Sequence, residues 1–145
     1  MDKRFWIAGI VATVLMFLFG FLVHGLILEA DYAMYPQLLR PKDDAMGYMP
    51  HMILAHLSMG FAFAWIYSKG ITAGAPWLMQ GIRYGIAVAL LTVVPYCLIY
   101  YSIQPWGRRI VAKQIVFDSI GMIITAIAVA FIYKDKATTE SEPAP

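Results

Sequence analysis

The chain has 145 residues, of which 61% are hydrophobic and 14% charged, with a formal net charge of +2 and a mean hydropathy of +0.66. Soluble globular domains carry about 25% charged residues, so the composition belongs to the membrane class. The small net charge leaves no basic surface for nucleic acid, and the lone cysteine, Cys97, leaves no disulfide framework.

The first apolar run extends from Phe5 to Leu28 without a charge. It follows Lys3-Arg4 as a secretory signal would, but it is much longer than an h-region of about 7–15 residues and no small-x-small cleavage site follows. It is read as a retained helix, since about 20 apolar residues cross a hydrocarbon core of about 30 Å. A polar connection from Glu29 to Met49 follows, with Pro36, Pro41 and a brief turn expected around Tyr32–Leu39. Three further runs meet the length test, at about 50–67, 77–101 and 110–133, with Pro50 suited to a first helical position. Backbone groups cannot stay unpaired in hydrocarbon, so all four runs are expected to be helices. The fold class is therefore an all-α integral membrane four-helix bundle, one domain over 1–136, with 137–145 a disordered polar tail.

Aromatic residues support these boundaries. Trp6, Trp65, Tyr67, Trp77 and Tyr133 are expected at one interface, and Tyr32, Tyr35, Tyr48, Tyr100, Tyr101 and Trp106 at the other. Lys and Arg divide almost equally between the two sides, so the positive start of the first segment sets the expectation that both termini are cytoplasmic.

Each run carries small or polar residues at helical spacing. Gly20, Gly60, Gly81, Gly85 and Gly121 are read as close-packing positions, with Gly81 and Gly85 forming a small-xxx-small pair that suits an internal face or a homodimer face. Pro95, deep in the third run, removes a backbone hydrogen bond and is expected to kink it, with Thr92 available to satisfy a freed carbonyl.

Ionisable groups inside a span are functional-site hypotheses by default. Asp118 lies eight residues into the fourth run, His56 six past Pro50, and His24 four before the end of the first. At 1.5 Å per residue these are depths of about 12, 9 and 6 Å from one face. Arg83 enters from the opposite side and either snorkels outward or reaches toward Asp118. Three readings stand. His24, His56, Gln114, Asp118 and Arg83 form a polar packing cluster, or a proton or ion relay. In the third, the two histidines clamp a haem or bind a metal with Asp118. Met49, His51 and Met52 mix thioether and imidazole donors of the kind that suit Cu(I), although nine methionines in one chain also suit membrane-edge packing. No cofactor is specified by any motif.

Catalytic signatures are absent: no G-x-S-x-G, P-loop, H-E-x-x-H or dinucleotide fingerprint occurs. The expectation is a non-enzymatic structural or accessory protein, partnered by the lipid bilayer and by itself or a larger membrane complex. Proton, ion or small-solute transport and a redox module are the alternatives.

Residues Gly20 to Gly25 (GFLVHG), the loop with Tyr35 and Arg40, Gln80 to Gly85 (QGIRYG), Val94-Pro95 and Lys113 to Asp118 (KQIVFD) resemble a group of small bacterial inner-membrane proteins of unknown function. The resemblance implies the four-helix architecture and a bacterial cytoplasmic membrane, and no activity.

Overall fold

The computed structural model describes residues 2–135, so the expected tail at 137–145 lies outside the described residues. Within them the chain is all-helical, without a strand. Helix α1 (Lys3–Gly20) opens on an Asp2 cap whose side chain accepts from the Arg4 N–H, and it continues as a π-helix over Phe21–Ile27. The short helices α2 (Glu29–Tyr32) and α3 (Lys42–Ala45) lie in the connection. Helix α4 (Met49–Lys69) follows, then α5 (Trp77–Leu91), α6 (Val93–Ile103) and α7 (Arg108–Ile132). Four helical stretches are long and apolar enough to cross a membrane, by length and composition: one in α1 with its π extension, one ending in α4, one through α5 and α6, and α7. Each extends one or two residues beyond the sequence boundaries at one or both ends, as helix ends commonly do.

The four stretches form a bundle in which α1 packs on α4 and α7, while α5 and α6 pack on α7. Glycines set the closeness of these contacts. A Cβ added at Gly60 would lie 2.5 Å from the Thr13 backbone nitrogen, and one at Gly85 would lie 2.6 Å from the Ile123 Cα. Gly81 faces Ala130 and Ile127, and Gly121 faces Phe19. Such backbone approach is how helices gain dispersion contact where lipid offers no hydrophobic driving force.

The core gathers Ala8, Ala12, Phe63, Ala64, Tyr67, Ala126, Val129 and Tyr133. Tyr67 and Tyr133, expected at an interface, are buried here with rings 5.8 Å apart. Consecutive helices α4 and α5 touch little along their lengths. They are joined by the Tyr84 hydroxyl, which donates to the Phe63 carbonyl at 2.7 Å, and by the Phe63–Tyr84 ring contact.

The third stretch breaks at Thr92, where φ widens to −115° with ψ −63°, three residues before Pro95. The Thr92 hydroxyl donates to the Val88 carbonyl at 2.7 Å, the same oxygen that accepts the Thr92 N–H. The carbonyl that Pro95 deprives of a partner is that of Leu91, so the hydroxyl serves the preceding turn instead.

Candidate functional site

The most connected polar assembly of the bundle lies where the π-helix, α2 and the start of α7 meet. His24 sits in the π segment, where the Leu28 N–H reaches back five residues to the Val23 carbonyl at 2.9 Å. A π turn is wider than an α turn, shifts the register of the side chains it carries, and is frequent at functional sites. Here it accompanies a histidine with both ring nitrogens engaged. Nε2 lies 3.2 Å from Asp118 Oδ1 and Nδ1 lies 2.6 Å from the Tyr32 hydroxyl. The Gln114 amide donates to the same Tyr32 oxygen at 2.8 Å.

Donor counting orients this chain. Gln114 gives one proton to the Tyr32 oxygen, which leaves the tyrosine's own proton to point at His24 Nδ1. His24 then carries its proton on Nε2, the nitrogen that lies 3.2 Å from the Asp118 carboxylate. A second proton on the ring would occupy Nδ1, and the tyrosine hydroxyl would have to turn away. The array therefore has two discrete hydrogen-bond arrangements, separated by one proton on His24.

Two supports hold Tyr32 in place. Asp31, next to it on α2, is buried and pairs with Lys113 Nζ at 2.5 Å, which pins α2 to α7. Trp106 packs edge-on to the Tyr32 ring at 5.8 Å and against Tyr35 at 5.3 Å, and its indole N–H donates to Gln104 at 2.7 Å. Burial pushes the Tyr32 hydroxyl above its ordinary range; the Gln114 hydrogen bond opposes this and the Asp118 charge adds to it. The hydroxyl thus stays protonated at neutral pH and can act as a donor. The His24–Asp118 pair itself is only partly enclosed, with side chains 42% and 23% exposed.

The other candidates lie elsewhere. His56 Nδ1 bonds the Met52 carbonyl of its own helix at 2.7 Å, and its ring packs edge-on to Phe17 at 5.2 Å, opposite Gly20. It stands against α1 without a bond to His24 or Asp118. Arg83 does not reach Asp118; it lines a cavity between the end of α4 and the start of α5. His51 stacks on Tyr48 at 5.7 Å, and Met52 is exposed. Among the described residues no group of three His, Cys, Asp or Glu side chains is placed to share a metal ion. Asp31, Tyr32 and Lys113 belong to the site, although in the sequence Asp31 and Tyr32 fall in the connection and Lys113 near the start of the fourth run. Their one local signal is an acidic residue and a tyrosine immediately after an apolar run, and no spacing rule pairs Asp31 with a lysine 82 positions later.

No known protein family matches this chain, and no match is found among curated proteins or solved structures.

Proposed function

We propose that this chain is an integral membrane protein of a bacterial cytoplasmic membrane, with both termini cytoplasmic, that takes up and passes on protons at His24 and Asp118. The observation that carries the reading is the polar array in which Gln114, Tyr32 and His24 are hydrogen-bonded in series and the far nitrogen of His24 lies 3.2 Å from the Asp118 carboxylate. Histidine is the side chain whose ordinary titration lies nearest neutral pH, and the partner carboxylate gives the proton a second resting place. The rotatable Tyr32 hydroxyl offers the exit on the other side. An ionisable pair within the spans would be expensive without a role. The partial exposure of this pair leaves it open to the polar end of the bundle.

The test is proton flux into proteoliposomes carrying a pH-sensitive dye. Wild-type protein should conduct above protein-free vesicles, and Asp118→Asn and His24→Gln should each reduce the flux by about a hundredfold or more, the scale for removing a proton-transfer group. A wild-type flux equal to that of empty vesicles ends the reading.

A second reading, an accessory protein acting through helix contacts, is favoured by α4. The buried residues of α4 are Gly60, Phe63, Ala64 and Tyr67, all in its second half, while Ile53, Leu54, Leu57 and Met59 are exposed. Recovery of monomer alone after crosslinking in native membranes would count against this reading.

A further inference from the structure

At the opposite end of the bundle from His24, the loop between α4 and α5 is held open around a cavity of about 360 Å³. Gln80, one turn into α5, builds its wall. Its amide donates to the carbonyls of Thr72 at 3.0 Å and Ala75 at 2.9 Å, and its oxygen accepts the Thr72 N–H at 2.7 Å. Gly74, at φ +74°, makes the turn that this clamp requires. With the loop fixed by its backbone, Ile66, Tyr67 and Tyr84 supply an apolar floor and Arg83 the charge.

Arg83 has no acidic partner among the described residues, unlike Arg4, which pairs with Asp135, or Arg40, which pairs with Asp44. Six residues past Trp77, it sits about 9 Å from the start of its helix, within reach of the headgroup level by snorkelling. A planar guanidinium presents a fork of N–H donors that matches two oxygens of one phosphate. Lys69, at the end of α4, adds a second cation to this end without a described counter-ion.

We propose that this cavity binds one anionic phospholipid, its phosphate on Arg83 and an acyl chain along the apolar seam between α4 and α5. The site uses the sparse packing of these two helices, whose contact is largely the Phe63, Tyr67 and Tyr84 rings. It shares with the proton reading only the placement in a bilayer, and it stands or falls separately.

Native mass spectrometry of the whole chain in mild detergent tests it, with phosphatidylglycerol, phosphatidylcholine and inorganic phosphate as probes. Phosphatidylglycerol should bind at one per chain and more tightly than phosphatidylcholine, whose choline cancels the phosphate charge. Arg83→Gln should weaken it by about tenfold, with Arg83→Lys intermediate, as expected when a bidentate contact becomes a point charge. Thr72→Phe, which fills the cavity and spares Arg83, should weaken it too, and His24→Gln should leave it unchanged. Unchanged phosphatidylglycerol binding in Arg83→Gln overturns the proposal. So does displacement of the lipid by inorganic phosphate at similar concentration, which would make this a site for a free anion.

Discussion

His24 Nε2 lies 3.2 Å from Asp118 Oδ1, while the other nitrogen of the same ring lies 2.6 Å from the Tyr32 hydroxyl. One imidazole thus joins three segments of the chain, and its proton arrangement follows from its neighbours. With Gln114 donating to Tyr32, the neutral ring must carry hydrogen on Nε2 and accept at Nδ1. Nitrogen NMR of protein labelled at histidine should show that tautomer for His24 at a pH where the ring is neutral. A ring protonated on Nδ1 alone would reverse the donor order between His24 and Tyr32 and leave Nε2 without a proton to face Asp118.

Tyr32 makes a prediction about alkaline pH. Its folded-state pKa is raised above the ordinary 10.0, chiefly by burial. The unfolded chain therefore loses this proton first as pH rises, and the folded state loses stability from about pH 10 up to the raised value. Below pH 10 the contribution is complete. Thermal unfolding in detergent between pH 8 and 11.5 should show a fall beginning near 10. Tyr32→Phe should lessen that fall and lower stability at pH 7 by about 1–2 kcal/mol, because two hydrogen bonds are lost at a half-buried position. An equally steep alkaline fall in the phenylalanine variant would assign it to other groups.

The Asp31–Lys113 pair carries an asymmetric prediction. Asp31 is buried, and Lys113 is partly exposed. Lys113→Met strands a buried carboxylate and should destabilise by about 2–3 kcal/mol, below the range for fully buried pairs because the lysine side is open to solvent. Asp31→Asn leaves the lysine able to turn outward and should cost less. Adding Asp31→Asn to Lys113→Met should recover part of the loss. A double variant whose cost is the sum of the singles would show that the two groups do not interact.

Much of this architecture was legible, and the reason is physical. Four apolar runs of sufficient length leave a chain little choice but helices, so Phe5–Leu28 and 110–133 fall within two residues of the observed elements α1 with its π extension and α7. Pro95 announces a missing backbone bond, while the observed helix break falls at Thr92, three residues earlier. The π-helix was not legible: nothing in Phe21–Ile27 marks the five-residue hydrogen bond from the Leu28 N–H to the Val23 carbonyl. His56 shows the limit of depth as a guide. Helix rise placed it near His24 and Asp118 along the bundle axis, but rise says nothing of azimuth, and its ring faces Phe17. Arg83 likewise required knowing which side of α5 the Gly81–Gly85 face leaves for it.

The glycine contacts give the last prediction, and it separates packing from conformational freedom. Gly60 and Gly85 lie inside ordinary helices, where alanine is the better helix former by about 1 kcal/mol. Propensity alone therefore predicts that Gly→Ala stabilises both. Close approach predicts the reverse: a methyl at Gly60 meets the Thr13 backbone at 2.5 Å, and one at Gly85 meets Ile123 Cα at 2.6 Å. Neither neighbour is a flexible side-chain end, so α1 and α4, or α5 and α7, must move apart. The overpacking cost of about 1–3 kcal/mol should outweigh the propensity gain. Gly47 is the control, since nothing lies within 4 Å of a Cβ added there. Thermal unfolding in one detergent should rank Gly60→Ala and Gly85→Ala clearly below wild type, with Gly47→Ala within about 0.5 kcal/mol of it. Stabilisation at Gly60 would mean that α1 and α4 are not held at this separation.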